Sequence, residues 1–160
     1  MQTGSQWYNR IATEISQYQY TLGHKEANKQ YKLDLLLRVA GRVDSFSDIC
    51  SECQTFKQEI TGLVQEMSLL IQMPSKQGIR NHAKAVDRMV EHLKKVHKLV
   101  DKGHYKGMGV GIGLAIGAGI GAALGSVFDN AGIGTGIGII LGIIVGTYLD
   151  RKAREEGRVI

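Results

Sequence analysis

Glycine at every fourth position is the feature of this sequence that most restricts its fold. Two uncharged runs, Met108–Phe128 and Ala131–Leu149, contain most of the chain's 21 glycines. A four-residue spacing keeps all its members on one face of an α-helix, and such rows are typical of helices that pack closely against another helix. The rows are Gly109, Gly113, Gly117, Gly121 and Gly125 in the first run, and Gly134, Gly138, Gly142 and Gly146 in the second.

The two runs together predict a transmembrane hairpin. Each is long enough to cross the hydrocarbon core of a bilayer as an α-helix. Asp129 and Asn130 separate them, and so short a polar connection favours a turn between antiparallel helices. A two-stranded sheet would leave backbone groups unpaired in lipid. We therefore expect a hairpin over residues 107–149, with spans at about 108–128 and 131–149.

Basic residues flank the predicted spans and set their expected orientation. They are Lys94, Lys95, Lys98, Lys102 and Lys106 before the first span, and Arg151, Lys152, Arg154 and Arg158 after the second. By the positive-inside rule both termini are expected in the cytoplasm, with residues 150–160 as a charged tail. Anionic lipid headgroups would attract these charges. Because the first residues show no signal-peptide pattern, we expect the hairpin to direct insertion into the inner (cytoplasmic) membrane.

A second row of small residues lies on another face of the predicted hairpin. It consists of Gly107, Gly111, Ala115, Gly119 and Ala123, with Gly132 and Gly136 repeating it in the second span. In lipid, helices associate through close backbone approach, which small residues permit. One row can then pack within the hairpin and the other between protomers, which predicts a homo-oligomer. The alternative is that both rows serve a monomeric hairpin.

The hairpin, over about residues 107–150, resembles the small bacterial glycine-zipper membrane proteins. That resemblance implies a membrane architecture and leaves the activity open. The hairpin also resembles the proteolipid ring subunits of rotary ATPases, which carry a carboxylate in the middle of the second helix. No carboxylate occurs between Ala131 and Leu149, which excludes proton translocation by that chemistry.

Residues 1–106 are predicted to form a soluble helical domain. The apolar residues step by three and four, as in heptad repeats, and there is no sustained alternation typical of strands. The predicted helices cover about residues 5–22, 31–73 and 79–102, with a loop at 23–30. Pro74 should end the second of these and return the chain antiparallel. The expected fold is therefore all-α: a helical bundle or coiled-coil hairpin followed by the two-span hairpin.

A metal site is predicted within this helical domain. Cys50 and Cys53 form a C-x-x-C motif, and His92 and His97 supply two imidazoles at a spacing found in Cys2His2 zinc sites. A turn near residues 74–78 places Cys53 opposite His97. Zinc is accordingly the expected cofactor, and no disulfide is expected in a cytoplasmic domain.

The fourth metal ligand is less constrained by the sequence. His92 and His97 lie about 140° apart on an ideal helix, which argues against simultaneous binding. Asp101 or His104 could replace one of them. The alternative to a metal site is that both cysteines are small apolar core residues. His82, on the apolar face, is expected to be a core histidine.

The sequence offers no arrangement typical of an active site, so we expect a protein that is not an enzyme. Acidic and basic residues are interspersed, which argues against nucleic-acid binding. The first predicted function is a self-associating membrane anchor whose cytoplasmic helices drive or regulate assembly and recruit a protein partner. The alternative is a membrane-depolarising effector, in which a ring of hairpins forms a pore. The spans contain few polar residues, Ser126 and Thr135 among them, so such a pore would dewet easily.

Overall fold

The computed structural model describes residues 5–128 and 131–160, with side chains described outside residues 120–134. The described residues form seven α-helices and one isolated parallel bridge, between Val100 and Val159. The predicted all-α fold class is therefore confirmed. The chain divides into two compact units. We call Met1–Lys98 with Ile160 the helical unit, and Leu99–Val159 the hairpin unit.

The helical unit is a bundle of five helices. These are α1 (Gln6–Leu22), α2 (His24–Tyr31), α3 (Leu33–Phe46), α4 (Ser51–Gln72) and α5 (Lys76–His97). Helix α3 contacts the other four, so its apolar residues lie at the centre of the core. The fully buried large side chains of the unit are Ile11, Ile15, Leu33, Leu36, Val39, Val43, Ile60, Val64, Met67, Met89, Leu93 and Ile160.

Two of the predicted segments in this unit are wrong. The predicted loop at 23–30 is helix α2, bounded by Gly23 (φ 79°) and Lys32 (φ 53°). The predicted continuous helix over 31–73 is two helices, α3 and α4. The backbone leaves the helical conformation at Cys50, which is extended at φ −135° and ψ 112°. Apolar periodicity runs through this break because both helices turn their apolar residues toward the same core.

The third predicted helix, 79–102, is shifted toward the N-terminus. Helix α5 begins at Lys76 because the Ser75 hydroxyl accepts the Gly78 N–H at 2.9 Å, which caps the first turn. It ends at His97 because Lys98 adopts the left-handed conformation (φ 55°). Helix α4 ends at Gln72, just before Pro74, so the two helices are joined by a three-residue turn.

The hairpin unit contains α6 (His104–Phe128) and α7 (Ala131–Glu155), which contact each other extensively. The buried Asp150 carboxylate accepts the N–H groups of Tyr105 and Lys106, each at 3.0 Å, and so joins the start of α6 to the end of α7. Within the described residues, no helix is both long and apolar enough to cross a membrane. The predicted turn at Asp129 and Asn130 lies outside the described residues.

Candidate functional sites: a metal centre and a glycine interface

The break between α3 and α4 builds the first candidate site. It places Cys50 at the N-cap of α4, where its sulfur accepts the Cys53 N–H at 3.5 Å. His92 and His97 lie in the last two turns of α5, beside the start of α4. Each of the four residues offers one ligand atom, and these atoms all lie within 4.8 Å of one another. Both cysteines are free thiols.

Three sulfur–nitrogen separations in the cluster match those around a single tetrahedral ion. The His92 Nε2 atom lies 3.4 Å from the Cys50 Sγ and 3.6 Å from the Cys53 Sγ, and the His97 Nε2 atom lies 3.3 Å from the Cys53 Sγ. Zinc bonds of about 2.3 Å to sulfur and about 2.0 Å to nitrogen, at the tetrahedral angle, hold sulfur and nitrogen about 3.5 Å apart. The cluster could therefore bind zinc without rearranging its helices.

Glu52 holds the His92 ring in the orientation that a metal requires. The His92 Nδ1 atom donates to the Glu52 carboxylate at 2.9 Å. The unprotonated Nε2 atom, whose lone pair can bind a metal, then faces both sulfurs. A carboxylate behind a ligating histidine fixes the tautomer and increases the basicity of the ligand. Glu52 was not among the predicted site residues, although an acidic side chain between the two cysteines of a C-x-x-C motif was the available signal.

Burial favours the neutral forms of His97 and Cys53. The His97 ring stacks on Phe46, with ring centroids 3.9 Å apart, and burial together with the nearby His92 lowers the His97 pKa. Burial, followed by the hydrogen bond and negative charge of Cys50 and the charge of Glu52, raises the Cys53 pKa to about 12. A bound divalent cation reverses this balance at Cys53 alone, because a coordinating thiol is deprotonated whereas a coordinating imidazole is neutral.

The cluster contains the four predicted ligands. Helix spacing argued against simultaneous binding by His92 and His97, yet both Nε2 atoms reach the Cys53 sulfur, with their ring centroids 5.3 Å apart. The angle of about 140° applies to Cβ directions, whereas each imidazole extends beyond its Cβ and converges on the start of α4. Neither Asp101 nor His104 is needed to complete the set.

His82 has a separate role in the core of the helical unit. It is 4% exposed, and its Nε2–H donates to the Tyr31 carbonyl oxygen at 2.9 Å. Burial lowers its pKa, and this hydrogen bond opposes the shift only in part. His82 is therefore a hydrogen-bonded core histidine, which links α5 to the end of α2.

The second candidate site is the interface between α6 and α7, where glycine backbones touch. A methyl group at Gly113 would overlap the Gly138 carbonyl oxygen, and one at Gly142 would overlap the carbonyl oxygen of Gly109. At Gly138 it would lie 2.7 Å from the Cα atom of Gly117. Because the obstructing atoms belong to the backbone, the helices would have to separate to admit any side chain.

The same row continues to the end of α7. A methyl group at Gly146 would lie 2.5 Å from the Tyr105 carbonyl oxygen and 2.7 Å from the Lys106 Cα atom. The surroundings of the remaining predicted packing glycines, Gly121, Gly125 and Gly134, lie outside the described side chains. Every described member of the first row thus lies at the contact between the two helices.

The second row of small residues is open. At Gly107, Gly111, Gly119 and Gly136, an added methyl group would meet no described atom within 4 Å. Ala115, in the same row, is also exposed. The hairpin therefore uses one small-residue row internally and presents the other on its surface. Ala123 and Gly132, which complete the predicted row, lie outside the described side chains.

Comparison with known proteins bears on the hairpin unit. Residues 104–152 match the model of a family described as "Glycine zipper membrane protein". The match includes α6 and most of α7, and it confirms the resemblance predicted for about residues 107–150. Membrane association is the property that this family supports. No curated protein and no solved structure matches the chain.

Proposed function

We propose that this protein is a self-associating, non-enzymatic integral membrane protein, with α6 and α7 as its anchor and a zinc-stabilised helical unit in the cytoplasm. The observation that carries the proposal is the packing of the hairpin, which has glycine inside and aliphatic side chains outside. Ile112, Ile116, Ile140 and Ile144 are each more than half exposed. A contiguous apolar surface of this kind needs a partner, and lipid acyl chains suit it.

The sequence on either side of the hairpin supports the proposed orientation. The uncharged runs Met108–Phe128 and Ala131–Leu149 are bounded by lysines before the first and by arginines and lysine after the second. Basic residues remain on the cytoplasmic side of bacterial membranes. We therefore propose two spans in the cytoplasmic membrane, with both ends of the chain in the cytoplasm.

The open glycine row supports self-association. Glycine inside a helix costs about 1 kcal/mol relative to alanine, so an exposed row without a contact would be a disadvantage. A second hairpin could approach Gly107, Gly111 and Gly119 as closely as α7 approaches Gly113, because no described atom obstructs that face. We therefore propose that the open row is the interface between protomers.

The mass of the full-length protein in mild detergent tests this proposal. We expect the wild type to be an oligomer, and a Gly111→Leu, Gly119→Leu variant to have a lower mass with unchanged helix content by circular dichroism. Ile116→Leu is the matched control, since it alters an exposed residue of α6 outside either row, and it should leave the mass unchanged. A strictly monomeric wild type would overturn the self-association proposal.

Zinc in the helical unit is supported by the ligand separations and by the position of Glu52. We expect one zinc ion per chain in metal analysis of the purified protein, and none in a Cys50→Ser, Cys53→Ser variant. Glu52→Gln should retain the site but weaken it about 10- to 100-fold in competition with a chelator. A wild-type protein purified with zinc available but without bound metal would disprove this part of the proposal.

The exterior of the hairpin favours an anchor over a pore. A ring of hairpins would have to line its channel with the open glycine row or with isoleucines such as Ile112 and Ile140, and such a lining dewets. We therefore propose that the anchored helical unit acts by assembling with its own copies and with a cytoplasmic protein partner. Unchanged membrane potential on expression, followed with a dye, is the expected result, and depolarisation would favour the pore instead.

A further inference from the structure

Among the described residues, a charged cavity lies apart from the metal centre and the glycine interface. A cleft of about 620 Å³ lies at the end of the hairpin where α6 begins and α7 ends. Four basic residues and two acidic residues line it: Lys102, Lys106, Arg151, Arg154, Asp150 and Glu155. The cleft lies wholly within the hairpin unit.

The two carboxylates of the cleft already have partners. Asp150 is 6% exposed, and both its oxygens accept backbone N–H groups at the start of α6. Glu155 accepts from the Arg151 Nε atom at 3.0 Å across one helical turn. Neither acid is therefore directed at the lysines of the cleft.

The remaining cations are exposed and line the same cleft. Within the part of the chain that the structure describes, Lys102, Lys106 and Arg154 form no ion pair. Together with Arg151 they leave the cleft with a net positive charge. Lysine and arginine side chains converging from two elements are the donors that bind a phosphate group.

We propose that this cleft binds the phosphate headgroup of an anionic glycerophospholipid. The inference rests on the proposed membrane anchoring. The uncharged runs begin at Gly107 and end at Leu149, immediately beside Lys106 and Asp150, so the cleft lies at the level where headgroups meet the spans. A free phosphate offers the same chemistry, but only a lipid would be concentrated at that level. The hydrogen bonds of Asp150 fix the two helix ends against each other, so the cleft is preformed.

Lipid retention by the full-length protein tests the inference. The protein is reconstituted in vesicles of equal parts phosphatidylcholine and phosphatidylglycerol, extracted in mild detergent, and its bound lipids are quantified. We expect phosphatidylglycerol to be enriched over phosphatidylcholine. Lys106→Gln and Arg154→Gln should each lower that enrichment about fivefold, since each basic residue near an anionic surface contributes about that factor.

Matched controls separate this outcome from general charge effects. A Lys25→Gln, Lys29→Gln variant removes two exposed lysines of α2 and should retain the full enrichment. Inorganic phosphate that binds the lipid-free protein as tightly as phosphatidylglycerol does would overturn the assignment to a lipid. Protein that floats with the vesicles but shows no enrichment would overturn the cleft as a lipid site. Protein that does not float with the vesicles would overturn the membrane anchor itself.

Discussion

The helices of one unit bury large side chains, whereas those of the other unit bury glycine backbone. In the helical unit the side chains of Leu36, Ile60 and Leu93 are fully buried, and the polar residues face outward. In the hairpin unit Gly113 and Gly146 are buried, whereas Ile112 and its neighbours face outward. The same secondary structure is thus stabilised by side chains in one unit and by backbone contact in the other.

This difference follows from the surroundings proposed for each unit. In water, burying apolar surface contributes roughly 25 cal/mol for each Å², so large side chains stabilise a bundle. In lipid the same burial gives no advantage, and close packing between backbones has to hold helices together. Four experiments test whether the two units are stabilised in these different ways.

Removal of zinc should affect the helical unit alone. Metal at a thousandfold excess over its dissociation constant stabilises a fold by about 4 kcal/mol. Chelation should therefore lower the melting temperature of the helical unit by roughly 15 °C or more. Trp7, the single tryptophan, donates to the Thr61 hydroxyl within this unit, so its fluorescence reports that transition.

The Cys50→Ser, Cys53→Ser variant is the control for chelation and should not respond to it. Hydrogen exchange of peptides from α6 and α7 should also be unchanged in the wild type. An unaffected melting temperature would show that no structural metal is present. A parallel loss of protection in α6 and α7 would show that the two units do not unfold independently.

Truncating an isoleucine should destabilise the helical unit but leave the hairpin unit almost unchanged. Ile60 is fully buried in α4, and Ile60→Ala should destabilise the helical unit by about 2–5 kcal/mol. Ile112 is 52% exposed in α6, and Ile112→Ala should leave the protection of the hairpin against hydrogen exchange almost unchanged. Comparable losses in both units would mean that side-chain burial also holds the hairpin, and the contrast drawn above would fail.

Adding one methyl group should be harmful only where glycine backbones touch. Gly142→Ala would force α6 and α7 apart, and overpacking of this kind costs about 1–3 kcal/mol. Gly111→Ala, on the open row, meets no described atom of its own protomer and should leave the packing of α6 against α7 unchanged, while it weakens the proposed contact between protomers. Hydrogen exchange of α6 in detergent measures both. Equal behaviour of the two variants would contradict the assignment of the rows.

Much of this organisation was predictable from residue spacing. The four-residue repeat identified the glycines that meet between α6 and α7, because spacing on a helix fixes which residues share a face. The turn at Pro74 likewise predicted that Cys53 lies beside His97, and their ligand atoms are 3.3 Å apart. Both inferences needed only helix geometry and the direction of the chain.

Other features depended on contacts that spacing does not encode. The break at Cys50 was missed because α3 and α4 bury their apolar residues in one core, although the polar sequence Ser47-Asp48 was a local signal. The convergence of His92 and His97 depends on side-chain rotation at the end of α5. The pairing of Asp150 with the start of α6 depends on the relative position of two helices that are far apart in sequence.

The buried His82 should make the stability of the helical unit depend weakly on pH. Its pKa is lowered in the folded protein, so the unfolded chain binds a proton at a higher pH than the folded chain does. Stability is therefore fully present above the unfolded pKa of about 6.5 and falls as the pH drops below it. His82→Gln removes this titration, so the stability reported by Trp7 should fall less between about pH 7 and about pH 5 in the variant than in the wild type. Because the two proteins differ only at residue 82, the difference between the two pH profiles isolates His82. Identical profiles would mean that His82 does not contribute to the acid sensitivity of the helical unit.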